Sequence, residues 1–205
     1  MIDWLIFLPA CFALNLAFGP NNLLAMTHGA RSGVSLAQKA AVGRLLVFIP
    51  MISASALGLG VVLTASAFAF SFVKTLGAAY LIWLGVKLWR SARAVDATAL
   101  GTRPITLRSA FRAEALVAAS NPKAILIFAA FFPQFVVLEA YWTSYAMLGA
   151  AFLVMEAIAI LFYSSLGRFA SRFAAGKLPL MQRVSGLTMC AFGVLLLLSP
   201  QPSRS

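Results

Sequence analysis

The sequence predicts an all-α integral membrane protein. Six transmembrane helices form two inverted three-helix repeats, with helices 1 and 4 interrupted at Pro20 and Pro122. Three observations lead there. Of 205 residues, 62% are hydrophobic and only 10% are charged, with a mean hydropathy of +0.94. Soluble domains carry about 25% charged residues, and one soluble core of this size cannot bury so much apolar surface. The apolar residues gather into six runs, most reaching the ~20 residues that a spanning helix needs. Two of those runs are broken at corresponding places in the two halves, which is the sequence pointer to the binding site of a secondary transporter.

The first run, Trp4–Met26, contains Gly19-Pro20-Asn21-Asn22. Proline removes a backbone donor, and a Gly-Pro pair interrupts a helix. In lipid such a break survives only where protein or a wet cavity surrounds it. The second and third runs, Ala40–Thr64 and Phe68–Trp89, read as spans with Gly58, Gly60, Gly77 and Gly85 as close-packing positions. The fourth, Phe111–Val136, repeats the interruption with Asn121-Pro122-Lys123. The fifth, Tyr145–Leu166, carries Glu156, and the short sixth, Val184–Ser199, carries Gly186 and Gly193. Trp4, Trp89, Tyr141 and Trp142 fall at segment ends, as interfacial aromatic belts do.

The loops set the orientation. Arg31 and Lys39 lie between segments one and two, and Arg90, Arg93, Arg103 and Arg108 between three and four. Arg168, Arg172, Lys177 and Arg183 lie between five and six, whereas Glu139 is the only charge between four and five. Alternate loops are therefore basic and cytoplasmic, with both termini outside. A re-entrant first segment would move the N-terminus inside. Residues 1–205 read as one transmembrane domain: a first repeat over 1–89, a cytoplasmic linker over 90–108 and a second repeat over 109–199. Three spans followed by three spans enter the membrane from opposite sides, so the two breaks face each other as an inverted pair.

The net charge of +11 is distributed as the positive-inside rule requires, so no nucleic-acid partner is expected. Met1-Ile2-Asp3 offers no basic leader, and no signal peptide is expected. Cys11 and Cys190 lie in apolar runs without metal or CxxC spacing and read as small hydrophobes. No metal or cofactor is expected.

Seven residues are candidates for substrate binding: Pro20, Asn21, Asn22, Asn121, Pro122, Lys123 and Glu156. Glu156 lies midway between Trp142 and Arg168, within a few Å of the midplane, where a carboxylate costs roughly 2.5–3.5 kcal/mol on insertion scales. It can bind a substrate ammonium, carry the coupling proton, or join helices as a structural acid. Lys123 lies about 16 Å into the membrane if helical, too deep to snorkel. It can bind a substrate carboxylate beside the free N–H groups at Pro122, or form a packing salt bridge with Glu156 or Glu114. Asn21 and Asn22 can cap the half-helix after Pro20 or point into a cavity. Arg44 reads as snorkelling to lipid phosphate, His28 as an interface residue, and Asn15 as an interhelical hydrogen-bonding group.

The stretch Asn15–Asn22 followed by His28-Gly29-Ala30-Arg31-Ser32-Gly33 resembles the opening of the lysine exporter/homoserine–threonine resistance (LysE/RhtB) family. So do Lys74–Gly85 and the block Asn121-Pro122-Lys123-Ala124 running on to Phe132-Pro133-Gln134-Phe135. Order and spacing match over essentially the whole chain. The resemblance implies a bacterial inner-membrane exporter of amino acids or their derivatives, driven by the proton gradient. Its partners would be a small-molecule amino acid substrate, the proton and the lipid bilayer, and a homo-oligomer is compatible with it. The family often carries an acid near Glu156. The chain departs from the pattern in segment two, where Gly43 is followed by Arg44 in place of an acidic residue. A membrane-embedded enzyme would need a nucleophile–base set that the sequence does not offer. A structural membrane subunit would not need charges at the midplane.

Overall fold

The computed structural model describes residues 1–65, 67–91, 105–170 and 178–198. Every regular element among them is helical. Helix α1 (Trp4–Leu16) begins where the Asp3 side chain accepts a hydrogen bond from Ile6 N at 3.2 Å. It stops at Ala17. After the extended Gly19 the chain restarts as α2 (Pro20–Ser32), turned 60° from α1. Proline at the first helical position loses nothing, because that N–H has no intrahelical acceptor. Gly33 ends α2 with φ 85°, a conformation that a side chain would strain. Helices α3 (Val34–Ala65) and α4 (Ala67–Ser91) follow.

Helix α5 (Leu107–Ala119) is capped by Thr106, whose hydroxyl accepts from Ser109 N. Helix α6 (Pro122–Leu126) repeats the device of α2, with proline first and the Asn121 side chain accepting from Lys123 N at 3.0 Å. It continues through a π-helical turn (Ile127–Phe131) and a 3₁₀ turn (Phe132–Phe135), bent 49° from α5. Helices α7 (Tyr141–Ala170) and α8 (Leu178–Leu198) complete the described chain.

Val34–Gly58 and Leu138–Phe169 are each long and apolar enough to cross a bilayer. The bent pairs, α1 with α2 and α5 with Lys123–Phe135, qualify as two more if each is one span. Both breaks fall at Pro20 and Pro122 as expected. Helix α3 begins at Val34 where Ala40 was expected, and α7 covers Tyr141–Ala170 where Tyr145–Leu166 was expected. Apolar content marks the lipid-facing length only, and a helix continues into the polar interface. Most of the expected linker lies outside the described residues. Of its ends, Arg90 belongs to the last turn of α4, and Arg108 to the first turn of α5.

Packing rests on small residues. A Cβ built on Gly85 of α4 or on Gly186 of α8 would lie 2.5 Å from the other's carbonyl oxygen. Helices α2 and α7 meet as closely, since a Cβ on Gly29 would fall 2.0 Å from Ser164 O and one on Gly167 1.9 Å from Met26 O. Gly77 and Gly193 are packing positions as expected, but Gly58 faces open space, and the surroundings of Gly60 lie outside the described ones. Among the described residues nothing comes within 4 Å of a Cβ built on Gly58. Large apolar side chains such as Leu5, Leu57, Phe169 and Leu198 are exposed, which suits lipid and not water. Inside, Phe48, Phe128, Phe132 and Phe152 interlock edge to face, with Phe128 and Phe152 4.9 Å apart at 73°.

Candidate functional site

A helix end leaves its last carbonyls without partners, and buried carbonyls must find them. At the end of α1 side chains supply them. Lys123 Nζ donates to Leu14 O (3.1 Å) and Ala17 O (2.9 Å). Asn22 Nδ2 donates to Asn15 O (2.8 Å) and Ala17 O (2.9 Å). Tyr163 Oη donates to Leu16 O at 2.6 Å. On the far side of the break Phe18 N donates to Ser185 Oγ at 2.5 Å. Four elements thus close over one gap: α2, α6, α7 and α8.

Arg44 sits beside this gap with no exposed surface. Its Nε and Nη2 donate to Glu114 Oε2 (2.8 and 2.6 Å), and Nη1 donates to Glu156 Oε1 (2.8 Å). Nη2 also donates to Asn21 O (2.5 Å) and Nη1 to Asn22 Oδ1 (3.4 Å), so every N–H direction of the guanidinium is engaged. Glu114 is fully buried, and its Oε1 faces His28 Nδ1 at 3.1 Å. Asn121 Nδ2 donates to Asn21 Oδ1, which joins the second break to the first. A buried ion network of this kind is costly to desolvate, and deleting one member leaves an uncompensated charge worth about 3–5 kcal/mol.

The structure brings the expected residues together. Asn21, Asn22, Asn121, Lys123 and Glu156 are all buried around the two breaks, with Pro20 and Pro122 opening the helices that carry them. Four readings change. Arg44 does not snorkel; it stands about 15 Å along α3 from Val34 and turns inward to two carboxylates. Consequently the packing salt bridge with Glu156 or Glu114, the alternative reading of Lys123, is made by Arg44 instead. His28 is buried in the same network and not at an interface. Asn15 bonds within its own helix, to Cys11 O at 2.8 Å.

Sequence reasoning missed Arg44 and Glu114 as one centre. A signal was present: two carboxylates inside apolar segments require a cation, and Arg44 is as deep as either. Tyr163 and Ser185, which serve backbone atoms, left no such signal. Cys11 and Cys190 are free thiols.

Over residues 12–200 the chain matches the sequence pattern of a family described as LysE type translocator. It is 30% identical over 200 residues to the homoserine/homoserine lactone efflux protein of Salmonella typhimurium, covering 94% of this chain and 95% of that protein. It is 29% identical over 196 residues to the leucine efflux protein of an Enterobacter species, covering 91% and 90%. A Vibrio cholerae protein described as a membrane protein is 28% identical over 196 residues, covering 94% and 95%. No solved structure matches the chain.

Proposed function

This chain belongs to the LysE type translocator family, and from that premise we propose that it exports neutral amino acids or their derivatives from the cytoplasm. We place it in the bacterial inner membrane, with export driven by inward proton flow. The observation that carries the reading is Arg44, fully buried between Glu114 and Glu156 where two broken helices meet. Charges at such depth are functional or paired, and these are both polar enough to recognise a zwitterion and closed to water. The relatives' names speak of homoserine, homoserine lactone and leucine efflux, which favours transport over a membrane enzyme or a structural subunit. Four charges balance at the centre, Arg44 and Lys123 against Glu114 and Glu156. A zwitterion leaves that balance unchanged, whereas a cationic side chain adds a charge with no free carboxylate.

The architecture proposed is six spans in two inverted repeats, residues 1–89 and 109–199, joined by a cytoplasmic linker over 90–108. Pairwise geometry supports it. The sequence offset that carries Gly85 onto Gly186 also carries Asn22 onto Lys123, Arg44 onto Tyr145 and Ser55 onto Glu156. Gly85 touches Gly186, and Asn22 and Lys123 share Ala17 O. Arg44 bonds Glu156 while Tyr145 meets Ser55 at 3.3 Å. Partners in one half thus have partners in the other. Ser32 Oγ accepts from Ile105 N at 3.0 Å, which brings the turn after α2 beside the start of α5, as two cytoplasmic loops should be.

Pro20, Asn21, Asn22, Asn121, Pro122, Lys123 and Glu156 line the proposed binding site, and Glu156 is the proposed proton carrier. Protonating it takes one of two carboxylates from Arg44, which loosens α7 from α3 and opens the site. Losing the proton restores the lock. Growth on a panel of inhibitory amino acids and dipeptides, with and without overexpression, tests the function. Tolerance to a neutral amino acid supports the reading; tolerance only to lysine or arginine overturns the charge argument.

A further inference from the structure

We propose that the carbonyls of Leu14 and Ala17 form a receptor for a primary ammonium group. Lys123 fills it in this structure, and the α-ammonium of the exported amino acid takes it over. The identity of the cargo rests on the exporter reading; the receptor itself does not.

Three observations carry this. First, Lys123 is 6% exposed, yet among the described residues no carboxylate lies within 4 Å of its nitrogen, because Glu114 and Glu156 are both turned to Arg44. Its charge is met by neutral carbonyls at the negative end of α1. Second, capping does not need a charge. Neutral donors already serve the carbonyls here, Asn22 at Asn15 O and at Ala17 O itself, and Tyr163 at Leu16 O. A buried ammonium here is far costlier than an amide. What it supplies beyond a cap is the same group that an amino acid carries.

Third, among the described residues two buried side-chain atoms at the break have no hydrogen-bond partner: the acceptor Asn15 Oδ1 and the donor Asn21 Nδ2, in residues 1% and 3% exposed. An unmade buried hydrogen bond is expensive to keep. A zwitterion brings both complements, N–H donors for the first and a carboxylate for the second. When it enters, Lys123 is released from Leu14 and Ala17 and pairs with the incoming carboxylate. Gly19 lies beside the lysine head group, since a Cβ there would stand 3.8 Å from Lys123 Nζ. The lysine therefore acts as a tethered stand-in that keeps the Leu14 and Ala17 carbonyls satisfied.

The test is chemical rescue. Lys123→Ala deletes the atoms of n-propylammonium, leaving the cradle without its cation. Thermal unfolding of the purified full-length variant is followed with n-propylammonium or, at equal concentration, tetramethylammonium. A saturable rise in melting temperature with n-propylammonium alone, absent in the unsubstituted protein, is expected. If the variant cannot be extracted folded, extraction is repeated with n-propylammonium present; recovery then supports the proposal and none overturns it. No rise, an equal rise in the unsubstituted protein, or equal rescue by tetramethylammonium also overturns it. Rescue of the variant, together with no amino acid export by the unsubstituted protein, would instead sink the exporter reading and leave the receptor standing.

Discussion

Asn121 donates its side-chain amide to Asn21 Oδ1, and this hydrogen bond ties the two proline breaks together across 100 residues of sequence. Asn121 also caps α6 through Lys123 N. Asn121→Ala therefore loses a cap, worth about 0.5–2 kcal/mol, and leaves Asn21 Oδ1 buried and unpaired at a further cost of about 1–3 kcal/mol. Asn121→Ser keeps the cap and loses only the link between the breaks. Thermal melts of the purified variants should rank serine between asparagine and alanine.

The glycine contacts give a sharper structural test. Gly29→Ala and Gly167→Ala each drive a methyl into a backbone carbonyl of the facing helix, Ser164 O or Met26 O, where no flexible side chain can yield. Both should fail to yield folded protein by size-exclusion chromatography. Gly58→Ala meets open space and gains up to about 1 kcal/mol of helix propensity.

Arg44 offers a third prediction. Arg44→Met strands Glu114 and Glu156 and should cost about 3–5 kcal/mol. Arg44→Lys should rescue little, because an ammonium cannot reproduce the planar fork that spans both carboxylates. Adding Glu114→Gln and Glu156→Gln to Arg44→Met removes the stranded charges and should recover folded protein without recovering export. Denaturation midpoints of the three variants check the ordering.

Much of this was legible in the sequence, and the reasons differ by residue. Pro20 and Pro122 act locally, through a missing N–H and a ring, so their breaks are visible without tertiary context. Glu156 was legible from depth alone. The orientation of Arg44 was not, because α3 is apolar nearly all round and no stripe separates its inner face from its outer one. Rotation of that helix is set by Gly43, which fits against Phe111 O, and so by a neighbour distant in sequence. The partner of Lys123 was hidden for another reason: backbone carbonyls carry no residue signature.

The proposed coupling separates two functions of one side chain. Glu156→Gln keeps shape and hydrogen bonding but cannot gain and lose a proton. The variant should still exchange labelled substrate across vesicle membranes while losing uphill export. Equal loss of both activities would make Glu156 a substrate ligand, and retained uphill export would exclude both roles.

Orientation can be read with a reporter active only in the cytoplasm. Fusions within residues 92–104 and after Lys177 should be active, and fusions at Glu139 and Ser205 silent. Activity at both Glu139 and Ser205 would remove the inverted-repeat arrangement.

The most direct measurement is uptake of labelled neutral amino acids, leucine and homoserine first, into inside-out membrane vesicles whose lumen is acidified by respiration. The account predicts accumulation above the outside concentration. Collapse of the proton gradient should abolish it, and an excess of unlabelled lysine should leave it unchanged. Vesicles that carry the folded protein yet accumulate no neutral amino acid, or accumulate one without regard to the proton gradient, would contradict it.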